Sequence, residues 1–269
     1  MIATLDWHGR EVQVDLARGQ PIAIPLDPHG PQPSFFAQEP ARAEPLKVGD
    51  YLGSVAGGGS CNAEVLRFTP HCHGTHTESI AHLSREPGSA WHEIERTPCL
   101  ARLVTLDLVA PGDCDETYAN DPAAPLLTRA QLESTADLDT SPAVHALVIR
   151  TLPNGTDKAF RDYAAAPPYP VLSDQAMALL RASELRHLLL DTPSVDTAHD
   201  GGALSNHRAW WGLSAPAAAH AARRSVTEMV YVPDGLADGC YWLQLGLQPL
   251  RSDAVASDPV LYPVRVDSA

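Results

Sequence analysis

Between His71 and His82 the chain reads His-Cys-His-Gly-Thr-His-Thr-Glu-Ser-Ile-Ala-His, setting four histidines, a cysteine and a carboxylate around a Gly-Thr turn. Imidazole, thiolate and carboxylate are the side chains that bind zinc and related divalent ions. Cys72 and His76, at i and i+4, would share a helix face. A helix is disfavoured, however, because Gly74, Thr75 and Thr77 are poor helix formers and Pro70 precedes the run. A straight strand would put Cys72, Gly74, His76, Glu78, Ile80 and His82 on one side, but at ~3.3 Å per residue it would hold Cys72 and Glu78 about 20 Å apart. Ligands bind one ion at ~2.0–2.3 Å. The segment is therefore expected to curl at Gly74, where a turn is cheap, as a loop or bulged strand wrapped around an ion.

The 269 residues, 44% of them hydrophobic, can bury a sizeable core. A formal net charge of −14 argues against nucleic acid or an anionic membrane surface as partner. No apolar run approaches the ~20 residues that span a bilayer, and Met1–His8 lacks the basic start and apolar stretch of a secretion signal. The cysteines (Cys61, Cys72, Cys99, Cys114, Cys240) are odd in number and form no CxxC pair. A reduced, cytoplasmic setting is expected.

Period-two and apolar runs predict strands at Glu11–Leu16, Ala101–Leu108, Val144–Thr151, His187–Leu190, Ser225–Val232 and Tyr241–Leu247. Helices are expected near Thr128, where Gln131 completes a capping-box pattern, and near Ser173 or Asp174, with a third candidate at Ala215–Arg223. Strands outnumber helices and mix with them, which predicts an α/β or α+β single domain over residues 1–269. Residues 20–48, rich in proline, read as an irregular arm of that domain.

One loop supplies too few ligands, so partners are sought further on. Asp191-Thr192-Pro193-Ser194-Val195-Asp196 follows an apolar strand, where functional loops commonly sit. Asn206-His207-Arg208 comes next. Glu228 lies in the apolar run Val226–Val230, where an unpaired carboxylate is expensive to bury and a metal ion would satisfy it.

These blocks resemble the cyclase family of metal-dependent hydrolases, which includes bacterial kynurenine formamidases and isatin hydrolases. Its hallmark H-x-G-T-H-x-D-x-P-x-H is occupied here by Cys72 to His82. The likeness continues through Val14-Asp15-Leu16, Leu147–Thr151, Leu190–Asp196, His207-Arg208 and Glu228. It implies a swivelling β/β/α fold with a mixed sheet and flanking helices. It also implies a centre of one or two divalent ions, zinc more than manganese, and a homodimer or homotetramer. Carried over by position, Cys72, His76, Glu78, His207 and Glu228 would be metal ligands, Glu78 bridging, with His82 the acid/base. Cys72 stands where the hallmark has histidine, Glu78 where it has aspartate, and Ile80 where it has proline. A thiolate would favour zinc over harder ions; the longer glutamate could shift the bridge; and His71, one residue earlier, could replace Cys72.

The implied activity is hydrolysis of a small amide or lactam carbonyl by a metal-activated water, with His82 moving protons. An arylformamidase acting on N-formylkynurenine is the best single expectation. A metal-dependent lyase or cyclase, or a degenerate non-catalytic metal-binding module, are the alternatives. Trp7, Phe35, Phe36 and Trp91 could cover an aromatic substrate. His8, His29, His145, His187, His199 and His220 read as surface or core residues, Trp210-Trp211 as core, and Asp191 and Asp196 as either site residues or turn caps.

Overall fold

The computed structural model describes every residue except 37–38, 87, 139–142, 215–219 and 267–269. Its main sheet is mixed. In chain order its main strands are β1 (Ile2–Trp7), β2 (Arg10–Asp15), β3 (His76–Glu78), β4 (Cys99–Asp107), β5 (Ala146–Leu152), β6 (His187–Leu190), β7 (Ser225–Glu228), β8 (Gly239–Leu247) and β9 (Ala254–Val266), and the two-residue strand Gln20–Pro21 also pairs with β9. Neighbours among β4, β5, β6 and β7 run parallel, while β8 is antiparallel to both β4 and β9. The start of β9, Ala254–Ala256, pairs with β3, which also pairs with β7. The ladder therefore closes on itself in the order β9-β8-β4-β5-β6-β7-β3 and back to β9. Closure removes the unpaired edges an open sheet would present. The β1–β2 hairpin extends from the far half of β9.

Helices α1 (Arg129–Thr135), α2 (Asp174–Ala182) and α3 (Ser205–Trp210) occupy the connections between the parallel strands. The expected capping box at Thr128 and Gln131 is formed, and Ser173 Oγ accepts the Ala176 amide to start α2. Alternation along each strand sorts the core. Leu100, Val104 and Leu106 of β4, Leu147 and Ile149 of β5, and Leu188 and Leu190 of β6 pack with Leu132, Met177, Leu180 and Trp210 from the helices. The intervening Ala101, Leu103, Ala146, Val148 and Leu189 face the other way, against Ile22, Val230, Tyr241, Leu243 and Leu261. Both faces of the parallel strands are buried, which is why these strands read as continuous apolar runs.

Arg224 is fully buried. Its guanidinium donates to the carbonyls of Leu185, Trp210, Arg181 and Ser183 and lies 4.4 Å over the Trp210 ring. The Arg181 and Ser183 carbonyls close the C-terminal end of α2, where cationic donors are favoured. Trp210 and Trp211 are core residues whose indoles donate to the Ser225 and Arg224 carbonyls.

Several elements differ from the sequence reading. β7 stops at Glu228 rather than Val232 because Met229 turns with φ 54°. β1, β3, β9 and α3 are additional. Of the candidate helix Ala215–Arg223, residues 215–219 lie outside the described residues, and Ala221–Arg223 is a 3-10 turn. Among the described residues no helix is long and apolar enough to cross a membrane.

Two histidines sit at the N-terminal ends of the parallel strands. Burial, together with Arg186, pushes His187 down to about 3 and His145 down to about 4. Their folded values lie below the unfolded one, so the stabilisation is complete above pH ~6.5 and declines as pH falls towards those values. The expected slope is at most about 1.4 kcal/mol per pH unit for each histidine. His187→Asn should remove one such increment between pH 6 and 4, read as a change in the pH dependence of the urea midpoint. An unaltered pH dependence would refute the assignment of a buried neutral imidazole.

Candidate metal centre

Pro70–His73 forms a single helical turn with Pro70 in the first position, where its missing N–H costs nothing. Gly74, at φ 151°, ends the turn in a conformation that other residues avoid. A side chain there would meet only the Ile24 carbonyl, at 3.7 Å, so the demand for glycine is conformational. The curl expected at Gly74 is present, although it is preceded by a helical turn rather than a loop. The chain then straightens into β3, where Thr75 ties the entrance by donating to the Met229 carbonyl and accepting from the Ile24 amide.

His76 and Glu78 project from one side of β3. Thr77, on the other side, contacts the hydroxyls of Thr227 and Ser257, each at 2.8 Å. Register places Glu228 opposite His76 across β7. His76 Nε2 lies 3.3 Å from Glu228 Oε2. Helix α3 delivers His207, whose Nε2 is 2.5 Å from Glu78 Oε1 and 3.5 Å from Glu228 Oε1. His71 Nδ1 is 3.2 Å from Glu78 Oε2, and His82 Nδ1 is 3.8 Å from the same oxygen. Four of the five expected metal residues, His76, Glu78, His207 and Glu228, thus converge with His82, from segments far apart in sequence.

Cys72 does not join them. Among the described residues its thiol belongs to no group of closely spaced ligand atoms, whereas His71 shares one with His76 and Glu78. The helical turn explains the exchange, since successive residues point about 100° apart. Turning His71 inward turns Cys72 away; its carbonyl holds the Phe35 amide at 3.0 Å. Burial raises the Cys72 thiol further from ionisation. Asp253, which the sequence does not mark, also arrives: its Oδ2 lies 2.9 Å from His71 Nε2 and 3.2 Å from His82 Nδ1.

Buried hydrogen-bonding groups are nearly always paired, yet His76 Nε2 and Glu78 Oε2 are buried without a hydrogen bond. Both atoms face the cluster, and His76 Nδ1 is already committed to the Gly74 carbonyl at 2.9 Å. Lone pairs of this kind from imidazole and carboxylate suit a divalent ion such as zinc. The electrostatics show how strongly the carboxylates and imidazoles of the cluster are coupled. Burial alone would raise Glu78, but the charge and contacts of His207, with His71 and His82 beside it, hold its carboxyl well below the usual range. Burial and the Glu78 charge act to raise Glu228, and contacts with His207 and His76 overcome them. Burial would lower His71, yet Asp253 and Glu78 lift it to about 10. Carboxylates so deeply placed require positive charge among them.

Residues 14–197, well over half of the chain, match the Cyclase family model. The chain belongs to the cyclase family. No curated protein matches it in sequence. Solved structures share the fold at low identity. A "predicted metal-dependent hydrolase" from Bacillus stearothermophilus superposes with a TM-score of 0.58 at 14% identity, covering 91% of this chain and 98% of that one. Isatin hydrolase A from Ralstonia solanacearum gives 0.57 at 18% identity, covering 91% of each chain. Isatin hydrolase A from Labrenzia aggregata, bound to benzyl benzoate, gives 0.57 at 16%, covering 91% and 93%.

A cavity of about 420 Å³ is lined by Phe35, Phe36, Tyr163, Tyr169, Thr197 and His199 among others, with none of the cluster residues in its wall. Its walls are tied to the centre: Thr197 follows Asp196, which accepts from His207 Nδ1 at 2.6 Å, and the Tyr169 hydroxyl donates to the Asp196 carbonyl at 2.8 Å. Of the aromatic residues expected near a substrate, Phe35 and Phe36 line this cavity. Trp7 instead packs on Trp242 and His145, and Trp91 lies under Arg96. Asp196 is both a turn-type acceptor, taking the Asn206 and His207 amides, and the partner that orients His207.

Proposed function

We propose that this chain is a metal-dependent hydrolase of a small amide or lactam carbonyl carried on an aromatic ring, with N-formylkynurenine the best single candidate substrate. The observation that carries the reading is that His76 Nε2 and Glu78 Oε2 are both buried without a hydrogen bond inside a histidine-carboxylate cluster. His71, His76, Glu78, His207 and Glu228 are the residues that would hold the ion or ions, with His71 taking the place that position alone gives to Cys72. A bound divalent ion supplies Lewis acidity, polarising a carbonyl and making water nucleophilic near neutral pH.

The chain's own residues supply the rest. His82 is a quarter exposed, so it borders both the centre and solvent, and its imidazole is the proton carrier for attack and departure. Asp196 fixes the His207 ring so that Nε2 faces the carboxylates. Phe35, Tyr163 and Tyr169 present an apolar, aromatic wall on which a flat ring would stack. The isatin hydrolases among the structural neighbours are named for a lactam, and the same cavity suits ring-opening of such a substrate.

The test is hydrolysis of N-formylkynurenine and isatin by zinc- or manganese-loaded protein in ¹⁸O-labelled water. Label in the product is expected; product without label would favour the lyase or cyclase reading, and neither turnover nor bound metal would favour a non-catalytic module. His71→Ala is expected to lower zinc content sharply, while Cys72→Ser leaves it unchanged. Zinc loss in Cys72→Ser alone would restore Cys72 as the ligand. We expect a homodimer or homotetramer, a point that sedimentation would decide.

A further inference from the structure

We propose that Asp253 is a positioning residue that fixes the ring orientation of His71 and His82 together, coupling a metal ligand to the proton carrier; this rests on the hydrolase reading above. Asp253 sits in the segment leading into β9, 182 residues after His71. One oxygen, Oδ2, meets both imidazoles, at 2.9 Å from His71 Nε2 and 3.2 Å from His82 Nδ1. Its other oxygen accepts from Ser252 Oγ at 3.2 Å. The backbone is pinned to the hallmark segment, because the Ser79 amide donates to the Asp253 carbonyl at 3.1 Å. The two rings lie 4.4 Å apart, tilted by 34°.

The assignment follows from what an ionised carboxylate can do. It is acceptor-only, so each imidazole facing Oδ2 must present N–H to it. His71 then turns Nδ1 towards Glu78, and His82 keeps Nε2 free for proton transfer. The other two histidines of the centre obey the same rule: His207 gives Nδ1 to Asp196, and His76 gives Nδ1 to the Gly74 carbonyl. In each, the nitrogen away from the centre is fixed by an oxygen, the arrangement that sets the orientation and basicity of metal-binding histidines. Asp253 differs in serving two rings with one atom. An asparagine oxygen could still accept from both rings, but without the negative charge that strengthens both contacts, and its amide nitrogen could no longer accept from Ser252 Oγ.

The experiment compares Asp253→Asn, Asp253→Glu and the parent chain, each prepared free of metal and titrated calorimetrically with zinc, then assayed when loaded. Asp253→Asn is expected to bind zinc ~10–100-fold more weakly. When saturated with zinc it should show a kcat lower by ~10²-fold with KM little changed, as loss of acid/base positioning predicts. Asp253→Glu, which keeps an ionised acceptor, should recover part of both. In a His82→Ala background, Asp253→Asn should still weaken zinc but no longer affect kcat. Parent-like zinc affinity and kcat in Asp253→Asn would overturn the proposal, as would equal further losses of kcat with and without His82. The zinc titration needs no substrate, so a wrong substrate class would leave it standing while removing the kinetic arm.

Discussion

Replacing His76 with alanine is expected to strip the centre of metal and of hydrolytic activity together. The side chain has a single fixed hydrogen bond, from Nδ1 to the Gly74 carbonyl, and its Nε2 is buried with nothing to serve but the cluster. Oxygens that merely orient a ligand are worth ~10–100-fold in metal affinity, so loss of the ligand itself should exceed ~10²-fold. The fold should survive, because Thr75 and Thr77, on either side, anchor the strand through Met229, Thr227 and Ser257. Elemental analysis after gel filtration, with circular dichroism as the folding control, checks this. Full metal content in His76→Ala would refute its role as a ligand.

The second large effect is on stability. Lys158, 3% exposed, donates to Asp191 Oδ2 at 2.7 Å and to the Thr151 carbonyl, while Asp191, 1% exposed, also accepts the Thr151 amide and hydroxyl. Lys158→Met would leave Asp191 buried without its cation, a change that typically costs about 3–5 kcal/mol. For a chain of this size that corresponds to a fall in Tm of roughly 10 °C. Adding Asp191→Asn should recover part of it, since the uncompensated charge is then gone. Activity should suffer as well. Asp191 opens the loop that presents the Val195 amide to Glu228 Oε1 at 2.8 Å and Asp196 to His207. A Tm within ~2 °C of the parent would show that the pair is dispensable.

What the sequence discloses follows how locally each feature is encoded. β6 is legible because His187–Leu190 is a short apolar run bounded by polar residues, and α1 because Thr128 and Gln131 are a capping box in themselves. Helix α3 is hidden: it is a short helix whose first cap, Leu204, sits at φ 49° with no capping side chain. β9 is hidden by Pro259 and Pro263, which read as breaks although both are paired opposite β8. In the centre, residue type marks the His71–His82 run and the apolar setting marks Glu228, while the ligand set His76, Glu78, His207 and Glu228 comes from the family resemblance. The choice between His71 and Cys72 depends on the phase of one helical turn, which spacing to the hallmark does not carry. Asp253 is a carboxylate in an ordinary-looking loop, and only chain closure reveals its neighbours.

That closure also governs when the protein can mature. The strand bearing His76 and Glu78 is completed on one side by Ala254–Ala256, and His71 meets Asp253 across 182 intervening residues. Domains emerge from the ribosome N-terminus first. A nascent polypeptide displaying the histidine-rich turn would therefore have only loose, partial affinity for passing cations until the final strand emerges and zips the cylinder shut. On the hydrolase reading, loading with metal would then follow closure of the cylinder rather than nucleate folding.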